Sequence, residues 1–125
     1  MLTGIIPIFF SEVTAMYITY ETSHGPHPTL TAAVFGEIDH HSASKLRREL
    51  DAAIAREAPE TLVLVLSGVD FMDSSGLGLV MGRLRTMQQR GGNLIIRDPN
   101  DDVARILDMA GMENFIRIER SGKNV

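Results

Sequence analysis

The unbroken apolar run Leu62-Val63-Leu64-Val65-Leu66 is of strand length, and within a few residues of it the chain changes period. Leu77, Val80, Met81, Leu84 and Gln88 recur at helical spacing, so the stretch Asp70-Phe71-Met72-Asp73-Ser74-Ser75-Gly76-Leu77-Gly78-Leu79 reads as a strand-to-helix turn. A buried strand that feeds a helix is the repeating unit of an α/β sheet, which restricts the possible architectures sharply. Ser74 and Ser75 fall at the turn. A helix start offers unpaired N–H groups and the positive end of the helix dipole, so the local expectation is a place where a phosphate on serine finds donors.

The flanking segments extend the same pattern. Ala15–Thr22 alternates and is rich in β-branched and aromatic residues, Ser23–Pro28 carries the proline and glycine of a loop, and Leu30–Phe35 resumes as strand, which together predict a hairpin. Gly36-Glu37-Ile38-Asp39 ends that strand, with Asp39 or Ser42 as helix cap. Ala43, Leu46, Leu50, Ala53 and Ile54 form the helix's apolar stripe, Lys45, Arg47, Arg48, Glu49 and Asp51 its wet face, and Pro59 its end. Gly91-Gly92 closes the second helix, Asn93–Arg97 is a short strand, and Asp98-Pro99 opens a third helix with Val103, Ile106, Leu107 and Ala110 inward. Gly111 stops that helix, and Phe115–Ile118 is the last strand. The expected order is β-β-α-β-α-β-α-β, a mixed sheet with helices packed against it, in one domain over residues 15–120 with a tail at 121–125.

Residues 1–14 are set apart. Met1–Phe10 is apolar but lacks a positive start, contains Pro7 and is too short to span a bilayer, so it reads as an extra strand, a flexible arm or a start-site artefact. A cytoplasmic protein without a membrane span is the expectation. The 125 residues contain no cysteine, which excludes disulfides and thiolate metal sites. The net charge of −4 arises before position 45, where Glu12, Glu21, Glu37 and Asp39 stand without any Lys or Arg. No basic face of the kind that binds nucleic acid is visible, so a protein or small-molecule partner is expected rather than nucleic acid.

Three catalytic or ligand-binding patterns are partly present in the residues. Gly76, Gly78 and Gly82 follow a strand, but their G-x-G-x-x-x-G spacing departs from a dinucleotide fingerprint; the simpler expectation is that Gly78 and Gly82 allow close approach to another backbone. Ser74 has Met72 where a nucleophile elbow requires glycine, and nothing orients His40 or His41 as a base. His24, His27, His40 and His41 lack the accompanying ligands of a metal centre, so neither metal nor cofactor is expected. Asp39, Asp70 and Asp73 are instead expected to share a rim with the serines at the C-terminal ends of parallel strands, where α/β ligand sites gather.

At these residues the chain resembles the anti-sigma factor antagonists, the anti-anti-sigma proteins with a STAS domain, and the sporulation members most. The resemblance is carried by Gly36-Glu37-Ile38-Asp39-His40-His41, Phe71-Met72-Asp73-Ser74-Ser75-Gly76-Leu77-Gly78, Arg90-Gly91-Gly92, and Leu107-Asp108-Met109-Ala110-Gly111 followed by Phe115. It implies a non-enzymatic switch: an anti-sigma factor that is an ATP-dependent serine kinase binds the unmodified protein, releases its sigma factor, and phosphorylates Ser75. A metal-dependent phosphoserine phosphatase resets the switch. Asp39, Asp73, Ser74, Ser75, Gly76, Leu79 and Arg83 are the implied docking residues, on the exposed side of the second helix and the neighbouring rim. The long hairpin loop and the chain's end at Val125, where relatives commonly add a helix, depart from the pattern. Rival expectations are a STAS module of a stress-signalling complex or lipid-transport accessory, and a small nucleotide-binding α/β protein using a loop from Gly76 to Gly82.

Overall fold

The computed structural model describes residues 4–6 and 16–122. Its elements are β1 (Gly4–Ile6), β2 (Tyr17–Ser23), β3 (Thr29–Ile38), α1 (His40–Glu57), β4 (Thr61–Met72), α2 (Ser74–Gln89), β5 (Asn93–Arg97), α3 (Asp101–Met109), a 3₁₀ turn (Met112–Asn114) and β6 (Arg117–Glu119). The sheet runs β1-β2-β3-β4-β5-β6 in sequence order. β1 and β3 flank β2 in antiparallel fashion, and every later pair is parallel. The strand-helix alternation predicted from residue 15 onward is present, with β1 added before it.

Alternation within the strands decides what the sheet buries. Ile18, Leu30, Ala32, Val34, Leu62, Leu64, Leu66 and Ile96 join Leu46, Leu50 and Ile54 of α1 and Val80 and Met87 of α2 in one core. On the opposite side of the sheet Tyr17 and Phe35, cross-strand partners in β2 and β3, stack with ring centroids 4.6 Å apart. Gly68 makes room for that stack, since a Cβ there would overlap the Phe35 ring.

Several boundaries differ from the sequence reading. β4 continues past Leu66 to Met72, because β3 carries its pairing on to Ile38↔Met72 through two register shifts. Asp70 therefore lies in a strand, at the extra residue between the Gly36↔Val69 and Glu37↔Phe71 pairs, and not in a loop. α3 is capped by Asn100, whose side chain accepts from Val103 N–H at 2.8 Å and donates to the Val69 carbonyl at 2.9 Å. Asp98 instead adopts φ 57° and accepts hydrogen bonds from the Ser121 amide and hydroxyl. The last strand starts at Arg117, after the 3₁₀ turn, and leaves Phe115 exposed; Ala110 is exposed as well.

The second helix has the largest correction. Its buried residues are Gly76, Leu79, Val80, Arg83 and Met87, whereas Met81 is 55% exposed and Leu77 and Leu84 are only partly covered. α2 rests on β4 and β5 and also packs beside α1, so its buried surface is wider than one stripe and includes a cation. Close approach is made by Gly76, where a Cβ would overlap the Met72 side chain, and not by Gly78 or Gly82, which face open space.

Candidate functional site

Two aspartates organise the C-terminal edge of the parallel strands. Ile38 and Met72 are paired in β3 and β4, and the next residue of each chain segment, Asp39 and Asp73, is a helix N-cap. Asp39 accepts from the His41 and Ser42 amides at 2.9 and 3.0 Å, while Ser42 Oγ receives the Asp39 amide at 3.0 Å, completing a capping box. The Ser42 amide above all, with the His41 amide beside it, holds the Asp39 carboxyl below the usual carboxylate range. Asp73 accepts from Ser75 N–H at 2.8 Å, and its own amide donates to Ile38 O at 3.2 Å, so the start of α2 is tied to the end of β3.

That geometry corrects the expectation of free backbone donors at the serines for Ser75 and the two residues after it. The Ser75 amide belongs to the Asp73 carboxylate, and the Gly76 and Leu77 amides point to the Asp73 carbonyl at 2.9 and 3.4 Å. Any anion on Ser75 must be met chiefly by side chains.

Side chains are supplied by the neighbouring helix. His40, Ala43, Ser44 and Arg47 occupy one face of α1 at helical spacing and, with Ser75, Gly78 and Leu79 of α2, line a groove of about 390 Å³. Ser74 is exposed beside it, and Ser75 is half-buried on its wall. Arg47 is exposed, as expected for the wet face of the first helix, and it also lines this groove, one turn after Ala43 and two after His40. The sequence reading missed Ser44 and Arg47 as site residues.

The other expected docking residues divide between the rim and the interior. Asp39, Asp73, Ser74 and Ser75 share the edge described above. Gly76 is buried against Met72, Leu79 is 6% exposed and Arg83 5% exposed, so these three do not form the exposed side of α2. They face inward because α1 packs along that side of α2. Arg83 Nε lies 3.1 Å from Asp51 Oδ1 of α1, and burial lowers its pKa.

Gly76, Gly78 and Gly82 all lie within α2. Their backbone is committed to a helix and forms no phosphate-cradling loop, which removes the structural premise of the nucleotide-binding rival. Among the described residues, no three His, Asp or Glu side chains are grouped to hold a metal ion. His27 reaches Glu60 at 2.9 Å, far along the chain from the His40–His41 pair. No helix among the described residues is long and apolar enough to cross a membrane.

The fold corresponds to a known family. The STAS domain family model matches residues 17–124. An anti-sigma F factor antagonist of Paenibacillus polymyxa is 43% identical over 89 residues, covering 71% of this chain and 76% of the relative. The chain belongs to the STAS-domain anti-sigma factor antagonists. An anti-sigma-B factor antagonist of Bacillus subtilis is 33% identical over 68% of this chain and 76% of its own length. Among solved structures, the anti-sigma factor antagonist SpoIIAA in its unphosphorylated form superposes with a TM-score of 0.68 at 28% identity, covering 83% of this chain and 89% of that one. The Bacillus SpoIIAA structure in the phosphorylated form superposes at 0.63 and 27%, covering 83% and 92%. The family's fold is thus the mixed sheet and strand-helix order found here.

Proposed function

We propose that this anti-sigma factor antagonist works as a partner switch: unmodified, it binds an anti-sigma factor that is a serine kinase and so frees the sigma factor. The kinase transfers the γ-phosphoryl group of ATP to Ser75 Oγ; an O–P bond forms at the serine, the bond to the leaving ADP breaks, and the hydroxyl proton is released. A phosphoserine phosphatase restores the hydroxyl by hydrolysis. The protein itself is a substrate and ligand in this cycle and not an enzyme, and the cycle is placed in the cytoplasm, with sporulation as the closest setting. No direct contact with nucleic acid belongs to this reading.

The observation that carries the proposal is the position of Ser75: first turn of α2, half-buried in the α1–α2 groove, its amide fixed by Asp73. A relative of the same fold solved in both unphosphorylated and phosphorylated forms supports a phosphoryl switch on this scaffold. The proposed docking surface is the rim of Asp39, Asp73, Ser74 and Ser75. Gly76, Leu79 and Arg83 are assigned a supporting part, holding α2 at its height above the sheet. A phosphate brings about −1.5 to −2 charge to that rim, beside Asp39 and Asp73, and loss of the partner follows from charge and bulk without refolding.

The test is incubation with the cognate kinase and ATP, followed by phosphopeptide mapping and a sigma-release assay. One phosphate at Ser75 is expected, with Ser75→Ala folded, unmodified and still able to release the sigma factor. Modification at another residue, or a Ser75→Ala variant phosphorylated at the normal rate, removes Ser75 from the mechanism.

A further inference from the structure

We propose that the groove between α1 and α2 is a built-in receiver for the phosphoryl group of Ser75, with Arg47 as its cationic contact and Ser44 and His40 as accessory donors. This inference rests on Ser75 being the residue that carries phosphate. It adds where that phosphate goes: into the chain's own α1–α2 seam.

The backbone leaves little choice. The Ser75, Gly76 and Leu77 amides are taken by Asp73, so a phosphate on Ser75 finds few free donors at the helix start. The groove wall opposite Ser75 supplies what is missing. Arg47 has no ion-pair or hydrogen-bond partner among the described residues, in contrast to Lys45, Arg83 and Arg97, which have carboxylates. Ser44 Oγ accepts from Arg48 Nη1 at 3.0 Å, which leaves its own proton available to donate into the groove. The volume of about 390 Å³ accommodates a phosphoryl group without displacing either helix.

The charges around the groove act in both directions, the Asp39 and Asp73 carboxylates against a phosphate and Arg47 for it. Asp39 and Asp73 border it at the two N-caps, and both carboxylates already accept amide hydrogen bonds. One turn beyond Leu79 and Arg47, respectively, the buried Arg83 is matched by Asp51. Along the seam Arg47 is the cation left without a counter-ion, and a guanidinium binds phosphate in a planar, two-pronged fashion that lysine cannot reproduce. Phosphorylation then fills the groove as well as charging its rim, and fastens α1 to α2 through a covalently held anion.

The experiment uses the full chain with phosphoserine installed at position 75 during translation, so that no kinase is needed. The ³¹P chemical shift is followed against pH. A guanidinium favours the dianion, so the second phosphate ionisation is expected at least about half a unit below its ordinary value of about 6. Arg47→Gln should raise it by at least that half unit. Arg85→Gln, the same charge change on an exposed α2 residue lining a different groove, should leave the shift in place. Because His40 lines the same groove, the comparison is repeated in a His40→Asn background, where the Arg47 dependence is expected to persist. Identical titrations with and without Arg47, or equal effects of Arg47→Gln and Arg85→Gln, overturn the receiver. A kinase assay that spares Ser75 overturns the switch instead, and the titration is unaffected by that outcome.

Discussion

Arg83 of α2 and Asp51 of α1 meet at 3.1 Å, with the arginine side chain 6% exposed and the aspartate 44% exposed. Nε and Oδ1 are close but not aligned as a hydrogen bond, and Arg83 Nη1 is buried without a partner. The pair therefore joins the two helices through charge at the end of the seam remote from Ser75. Removing Asp51 leaves a buried cation uncompensated, so Asp51→Ala is expected to cost about 1–2 kcal/mol, below the range for a fully buried pair because Asp51 faces water. Arg83→Met, which removes the charge and keeps the bulk, is expected to lie within about 1 kcal/mol of wild type. Urea unfolding of the two variants decides between them.

Asp39 joins a structural task to a proposed docking task. Asp39→Ala loses the capping box, worth about 1 kcal/mol, which a domain of ordinary stability survives. Kinase affinity is expected to fall more than this figure accounts for. A variant that melts normally and binds the kinase at wild-type affinity would restrict Asp39 to the cap.

The same carboxylate gives a pH signature. Its folded pKa lies below the unfolded value of about 3.9, so the stability it adds is present above that value and is lost as pH falls through the lowered folded value. Thermal melts from pH 6 to pH 2.5 should show wild type losing more stability below about pH 4 than Asp39→Ala does.

Tyr20 acts at the alkaline end. It is 7% exposed, and burial, reinforced by Glu49, pushes its phenol up to about 12. A raised folded pKa means stability intact below the unfolded value of about 10 and lost as pH rises from there toward about 12. Tyr20→Phe should flatten this part of the stability profile, measured by chemical unfolding between pH 9 and pH 11.5.

Gly76 and Gly78 should respond oppositely to alanine. A methyl at Gly76 overlaps buried Met72, and overpacking of this kind costs about 1–3 kcal/mol. At Gly78 the methyl meets open space inside a helix, where alanine is favoured over glycine by about 0.5–1 kcal/mol. Denaturation midpoints that move in the same direction would refute the packing account.

Ser75→Asp places an acid in the first turn of α2, favourable by about 0.3–1 kcal/mol, so the variant is expected to fold at least as well as wild type. It carries less charge than a phosphate and lacks its oxygens. Calorimetry with the kinase should show weakened but not abolished binding, and undiminished affinity would argue against charge at this position as the determinant.

The alternation of strand and helix was legible in the chain because each segment carries its own period and its own stop. Leu62–Leu66, the stripe of α1, Gly91 at φ 79° and Gly111 at φ 71° are local signals that need no partner to be read. The serine turn was legible for the same reason, since Asp73-Ser74-Ser75 is a capping sequence between a strand and a helix. The far end of β4 was not legible, because Gly68–Met72 pairs only through the register shifts imposed by β3. Neither was the third-helix cap: Asn100 is fixed by a carbonyl 31 residues away, at Val69.

The face of α2 shows the limit most clearly. Hydropathy marks Met81 as inward and Arg83 as outward, and the fold reverses both, because α1 covers Arg83 and supplies Asp51 while nothing among the described residues covers Met81. Arg47 and Ser75 lie 28 positions apart on two helices that only the sheet brings side by side, so the sequence determined the capped serine itself and the tertiary structure determined which side chains surround it. Local period and capping are properties of a segment, whereas a groove is a property of two segments and of the sheet that spaces them.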